Sequence, residues 1–334
     1  MYKKGSGKKS ISRSYQNINC ESNNGEWDYK HKKIKWGSIE DYVIGKKLGE
    51  GTFSQAYKGT CKKTGINVTI RKLIKDRPEK IKREISVLRR IKGSVNNAHI
   101  FDAVKGDDDK KYIIMHYYIN DGVIKKDTPL SEVELKGYML QLLNGLDEAH
   151  SRGVMHRDIK PSNVVINRKR ERLKIIDWGM ADFYHPYKEY HLRVGSYYYK
   201  APELLLGVKQ YDYSLDMWSF ACLFAGFVFG DFPFVKGKDK SEVQLIRSIS
   251  GLFGEGELWD YIEKYNLKGL SEDKLKAIVS PSKKSKRIMS KAETPFKTEL
   301  ALDLLKKTLK VDHQERLTAK EAMEHPYFDE VRNA

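Results

Sequence analysis

The strongest constraint on this chain lies between residues 156 and 179. There His156-Arg157-Asp158-Ile159-Lys160-Pro161-Ser162-Asn163 opens into an apolar, strand-like run that ends in Asp177-Trp178-Gly179. Phosphoryl transfer needs a carboxylate to orient a hydroxyl and accept its proton, a cation beside the moving charge, and hard oxygen ligands for magnesium. Asp158 fits the first need, Lys160 the second, and Asn163 with Asp177 the third. A purely structural role, with Asp158 capping a turn and Asp177 ending a strand, accounts for either residue alone. It does not account for both motifs in this order.

Upstream, Leu48-Gly49-Glu50-Gly51-Thr52-Phe53-Ser54-Gln55-Ala56 sits between two strand-like runs. Glycines at 49 and 51 allow a tight turn and let backbone amides approach a polyphosphate. The same pattern occurs in ordinary hairpins, and Ser54 stands where a third glycine is expected, so this stretch points to a nucleotide only together with the first constellation. Helical spacing of Ile81, Ile85, Leu88 and Ile91 predicts a helix over Lys80 to Ile91, and Lys111 to Ile119 reads as a strand. Ser131 and Glu134 form a capping box ahead of Leu135, Met139, Leu142, Leu146 and Ala149. Short strands near 164 to 176 interrupt an otherwise helical remainder, and Ser280 to Ser290 reads as an exposed loop. The chain thus divides into a strand-rich first third and a helical remainder, crossing over near Met115 to Gly122.

Composition narrows the function classes. The 334 residues are 40% hydrophobic and 32% charged, with a mean hydropathy of −0.62, which excludes a disulfide scaffold and points to a soluble folded chain. The longest apolar run, Trp218 to Gly230, is too short to span a bilayer and reads as a buried helix. A net charge of +17 favours anionic partners. A nucleic-acid partner is not expected, since charge alone supports it and no zinc-finger, RNP or basic-zipper pattern accompanies it. Three scattered cysteines suggest a reducing compartment and no metal cluster. Residues 1–26, rich in Lys, Ser, Asn and Gly, read as a basic disordered tail with no secretory signal.

Over about residues 42 to 328 the chain resembles the eukaryotic protein kinases. Beyond the motifs above, the likeness is carried by Glu84 in Lys-Arg-Glu-Ile, Ala201-Pro202-Glu203, Asp216-Met217-Trp218-Ser219, and Arg316 in His-Gln-Glu-Arg-Leu. It is closer still to the casein kinase II catalytic subunits, through Asp177-Trp178-Gly179, Phe183-Tyr-His-Pro186, Lys188-Glu-Tyr190, Tyr211 to Trp218, Asp312 to Thr318 and His325-Pro-Tyr-Phe328. The resemblance implies an α+β bilobed fold, with a small antiparallel sheet and helix C in an N-lobe (42–118) and a larger, mainly helical C-lobe (119–328). A segment at 27–41 would pack on the kinase, and a tail would follow at 329–334.

The implied activity is transfer from ATP, or GTP, with Mg2+ to Ser or Thr in acidic protein sites. Such kinases are active without activation-loop phosphorylation, often assemble with a regulatory beta subunit, and work in the cytoplasm, the nucleus or both. By the same resemblance Leu48 to Ala56 covers the phosphates, Glu84 pairs with the anchoring residue of the preceding strand, and Met115 lines the nucleotide pocket beside the hinge at His116. Arg77, Lys80, Arg193 and Lys200, with Lys82 and Arg83, are the candidates for binding acidic substrates.

Two departures matter. Val68-Thr69-Ile70-Arg71 places an arginine where the family anchors ATP with lysine. Its planar fork on a longer stem need not serve both the phosphates and Glu84 in one geometry. Lys72 is adjacent, but neighbouring strand residues face opposite sides, so it could substitute only through a slip or bulge. An impaired, scaffold-type pseudokinase is the alternative that Arg71 raises. Pro78 and Glu79 interrupt the run of lysines expected ahead of helix C, and Tyr197 replaces an arginine of the family. Both predict a weaker preference for acidic sites.

Overall fold

Alternating apolar positions from Tyr42 onward build a sheet. The computed structural model describes residues 11–20, 27–51, 54–119, 121, 124, 130–237, 239–280 and 294–332. Strands β1 (Gly37–Ser38), β2 (Tyr42–Glu50), β3 (Ser54–Cys61), β4 (Asn67–Leu73), β5 (Ile100–Lys105) and β6 (Lys111–His116) lie in the order β1-β5-β6-β4-β3-β2. Every neighbouring pair is antiparallel except β1, which runs parallel to β5. The sheet expected to be wholly antiparallel is therefore mixed at one edge. The cause is the segment ahead of Tyr42, which reaches that edge through Gly37; a Cβ there would lie 2.9 Å from the Asp102 carboxylate.

Helix α1 (Pro78–Arg90) opens with proline at its first position and buries Ile81, Ile85 and Leu88, as the spacing predicts. Strand β6 stops at His116, short of the expected Ile119. Below the sheet, α2 (Glu132–His150) carries the predicted capping box, with Ser131 Oγ accepting from the Glu134 amide and the Glu134 carboxylate accepting from the Ser131 amide. Two short antiparallel pairs follow, β7 (Val154–Met155) with β10 (Asp182–Phe183) and β8 (Val164–Asn167) with β9 (Arg172–Ile175). Then come α3 (Pro202–Leu205), α4 (Ser214–Val228), α5 (Glu242–Phe253), α6 (Glu255–Lys264), α7 (Glu272–Val279) and α8 (Glu299–Thr308). From Leu215 to Val228 every residue of α4 is buried, which explains its unbroken apolar text. The result is the α+β bilobed architecture that the sequence predicts. Residues 281–293, most of the predicted exposed loop, lie outside the described residues. No helix among the described residues is long and apolar enough to cross a membrane.

Two cores hold the lobes. One runs without interruption from α1 through α2 and α4 to the C-terminal helices. The other is a cluster of eight buried side chains, Ile39 from the 3-10 turn ahead of β2 and Tyr42, Cys61, Val68, Ile70, Val104, Tyr112 and Ile114 from the sheet.

Residues 11–20 do not conform to the disordered tail expected over 1–26. They dock on the C-lobe: the Ser12 amide donates to Tyr184 Oη (2.9 Å), Arg13 to the Arg316 carbonyl (2.8 Å), Tyr15 Oη to Asp147 (2.9 Å), and buried Asn19 to the carbonyls of Gly153 and Tyr184 (2.8 and 2.9 Å). Composition misses this because the stabilisation is a set of specific hydrogen bonds rather than apolar periodicity. The rest of that expectation, residues 1–10 and 21–26, lies outside the described residues. Farther on, Trp27 packs edge-on against His185 and Tyr29 stacks on Phe183. Deleting residues 1–20 is expected to lower the melting temperature by about 1.5–3 °C, the effect of roughly 1–2 kcal/mol of lost hydrogen bonds. A thermal melt unchanged from the full chain would show that the docked segment adds nothing.

Candidate active site

The loop between β7 and β8 carries Asp158, Lys160 and Asn163, and α4 fixes its shape. Asp216, fully buried, accepts from the backbone amides of His156 (2.8 Å) and Arg157 (2.7 Å) and meets His150 Nε2 at 3.0 Å. These amides hold Arg157 in the left-handed region at φ 67°, an uncommon conformation for a non-glycine residue. Burial raises the Asp216 carboxyl, but the bonds from His150 and the His156 amide outweigh it, and the group lies below the usual carboxylate range.

With the loop so fixed, four side chains converge. Asp158 Oδ2 accepts from Lys160 Nζ at 2.8 Å and from Asn163 Nδ2 at 3.1 Å, while Oδ1 accepts from Ser196 Oγ at 2.7 Å. Lys160 Nζ also donates to Ser196 Oγ at 2.8 Å. Asp158, Lys160 and Asn163 were read from the sequence, but Ser196 was missed. It lies 38 residues from Asp158, with no local pattern to mark it. A hydroxyl between the carboxylate and the ammonium is the only sequence-level cue, and serine is too common for that to single it out.

The Asp-Trp-Gly stretch closes over this loop. The Trp178 ring is buried edge-on against the His156 ring (4.6 Å between centroids), and His156 Nε2 lies 3.1 Å from the Ile176 carbonyl. Asp177 adopts φ 59°, again left-handed, and its side chain is half exposed toward the cleft. Asn163 donates through Nδ2 to Asp158, which leaves Oδ1 as an acceptor. Among the described residues no cluster of three or more His, Cys, Asp or Glu side chains offers a metal site built from protein alone. One carboxylate and one amide oxygen nonetheless suit magnesium, which completes its shell with water and nucleotide phosphate. The residues present therefore fit the group.

The register through β3, β4 and β6 is continuous, Ala56↔Arg71↔Ile113 and Gln55↔Lys72↔Tyr112. No bulge brings Lys72 round, so Arg71 faces Glu84. The buried Arg71 guanidinium forms a close ion pair with Glu84 through NH2 and reaches Asp177 Oδ1 at 3.4 Å through NH1. Burial holds the Glu84 carboxyl above the usual carboxylate range, offset only in part by Arg71, while Glu84 and Asp177 keep the arginine charged against its own burial. Arg71 Nε and Glu84 Oε1 have no hydrogen-bond partner within the protein. Buried polar atoms of this kind at a cleft wall suit a polar ligand.

Above the cleft the β2–β3 hairpin is closed by the Gly51 amide donating to the Ser54 carbonyl (2.9 Å). A Cβ on Gly49 would meet nothing within 4 Å, and one on Gly51 only the Ser54 carbonyl at 4.0 Å. Among the described residues neither glycine is demanded by packing, which is compatible with close approach of a ligand. Leu48, Glu50, Gln55 and Ala56 flank the hairpin as read from the sequence, while Thr52 and Phe53 lie outside the described residues. Met115, half-buried, and His116 end β6, where the sheet meets the C-lobe.

The basic candidates separate into two groups. Arg77 caps α1, and beside it Lys80 is held below the usual lysine range by burial and by the cations of Arg77, Arg83 and Arg157. Arg193 is exposed on the segment leading to Ser196. Lys200 is not brought to this cluster; it is ion-paired to Glu242 at 3.1 Å. Arg157 is likewise satisfied, by Asp182 at 3.2 Å, Tyr211 Oη at 3.1 Å and the Met180 carbonyl at 2.7 Å.

The family model of the protein kinase domain matches residues 42–328, most of the chain. The chain belongs to the protein kinase family. A protein kinase domain supports transfer of a phosphoryl group from ATP, with a divalent metal, to protein substrates.

Proposed function

We propose that this kinase transfers the γ-phosphoryl group of ATP, with GTP as an alternative donor, to Ser or Thr hydroxyls in acidic sites, in the manner of casein kinase II. The observation that carries this reading is the Asp158–Lys160–Ser196–Asn163 cluster, assembled with every hydrogen bond made by unmodified residues. Asp158 orients the acceptor hydroxyl and takes its proton, and Lys160 offsets the charge that develops on the moving group. Asn163 and Asp177 would hold magnesium, which supplies neutralisation of the phosphate oxygens. The Leu48 to Ala56 hairpin covers the phosphates, Met115 lines the base pocket, and Arg71 stands against Glu84 as the anchoring cation.

Activity without phosphorylation of the activation segment is supported by Arg157. A phosphate on that segment would need a free cation, and the Arg157 guanidinium is already bonded to Asp182, Tyr211 Oη and the Met180 carbonyl. Distal acidic residues of the substrate are taken by Arg77, Lys80 and Arg193. A regulatory beta subunit completes the casein kinase II likeness as the proposed partner.

A second reading, a kinase-folded scaffold with little transfer, is favoured by one observation: Arg71 engages Asp177, a proposed magnesium ligand, as well as Glu84. The test is magnesium-dependent transfer from labelled ATP to a Ser peptide flanked by Asp and Glu, with Asp158→Asn as the blank and EDTA as the metal-free control. Transfer above the blank supports the enzyme. If wild type equals the blank and Arg71→Lys gains at least about tenfold, the scaffold reading takes over, because a compact ammonium releases Asp177 and anchors phosphate as a point charge.

A further inference from the structure

The ledge beside Ser196 carries a charge arrangement that bears on which peptides this site accepts. Ser196 contacts both Asp158 and Lys160, so the residues next to Ser196 border the neighbours of an acceptor hydroxyl placed at Asp158. These are Tyr197, Tyr198 and Tyr199 in a single 3-10 turn, then Lys200. Lys200 is the basic residue of the turn, yet its ammonium is spent inside the protein on Glu242 Oε1 at 3.1 Å. The other oxygen of Glu242 accepts from Lys274 at 3.1 Å, and Lys274 is itself bound to the Leu205 carbonyl. Glu242 lies in the first turn of α5, where the helix dipole favours a carboxylate.

Tyr197 is pinned just as firmly. Its hydroxyl donates to the Ser241 carbonyl at 2.7 Å, its ring stands edge-on to Tyr198 at 4.9 Å, and a Cβ on Gly237 would lie 2.2 Å from its oxygen. The ledge therefore offers an aromatic ring and a neutralised lysine.

Resting on the proposed transfer at Asp158, we propose that Glu242 is a specificity determinant that occupies Lys200 from within. The kinase then takes a neutral or apolar residue next to the acceptor and reads acidity only at more distant positions. An aspartate beside the acceptor finds the Lys200 ammonium already bonded to Glu242 and gains little from it to replace its hydration.

The test uses the full chain and Ser peptides that share distal acids and differ only in Asp or Leu beside the acceptor, placed on one side and then on the other. For wild type, kcat/KM with Leu is expected to equal or exceed that with Asp on both sides. Glu242→Gln is expected to move the ratio toward Asp on one side by about fivefold, and Glu242→Gln combined with Tyr197→Arg to move it further. A wild-type preference for Asp of about tenfold, or a ratio that Glu242→Gln leaves unmoved, overturns the proposal. The same peptides with Ala for Ser, read by fluorescence anisotropy, give the comparison as Kd values. If transfer fails but the Kd ratios shift as described, the transfer reading fails and this one stands.

Discussion

Replacing Asp158 with Asn is expected to cut phosphoryl transfer by about 10³-fold while leaving the melting temperature within a few degrees of wild type. The amide removes the base, yet the hydrogen bonds around it can be remade. Lys160 and Asn163 both donate to one oxygen of Asp158, and an asparagine can keep its carbonyl there. Its Nδ2 then faces Ser196, whose hydroxyl donates to Asp158 in wild type and can turn to accept. What is lost is the Lys160 ion pair and the acceptor of the Ser196 hydroxyl; both side chains are partly exposed, so the cost in stability is small. Transfer assays and a thermal melt on the same preparation check both halves. Full activity in the variant would remove Asp158 from the mechanism. Equal loss of activity and fold would assign it to structure.

The largest stability effect is expected at Arg316. All five of its N–H groups are used: two on the Glu203 carboxylate at 2.7 Å each, and one each on the carbonyls of Ser214, Val311 and Lys310. Its guanidinium also lies 5.1 Å from the centre of the Trp218 ring. Both partners of the ion pair are completely buried. Arg316→Ala strands the Glu203 carboxylate and three carbonyls without water, a loss of about 3–5 kcal/mol. In a chain of this size that lowers the melting temperature by about 4–7 °C. Glu203→Gln with Arg316→Met is expected to recover part of the loss, since removing both charges abolishes the orphan. A single Arg316→Ala loss under about 1 kcal/mol, read by urea titration, would contradict this account.

How much of this was legible beforehand follows from the range of each interaction. The 156–163 and 177–179 motifs could be read because their residues act within one turn of chain, and the capping box of α2 because it spans four residues. Ser196, Glu242 and the docking of Tyr15 on Asp147 could not. Their partners lie 38, 42 and 132 residues away, beyond any periodicity. Lys200 shows the difference within one residue. Its charge is plain in the sequence, but its occupation by Glu242 is a tertiary fact. Arg71 was the reverse case: sequence raised Lys72 as a substitute, and the unbroken β4 register, a property of three strands together, removed it.

The two unequal cores have a dynamic consequence. The eight-residue cluster on the sheet is separate from the body that joins α1 to the C-lobe. The sheet's outer layer is thus a cooperative unit of its own, with far less apolar surface to lose on opening than the rest of the molecule. Fluctuations that part β2 and β3 need not disturb Asp158 or Arg316. Amide hydrogen exchange in β2 and β3 is therefore expected to outpace that in α4, which the large core holds.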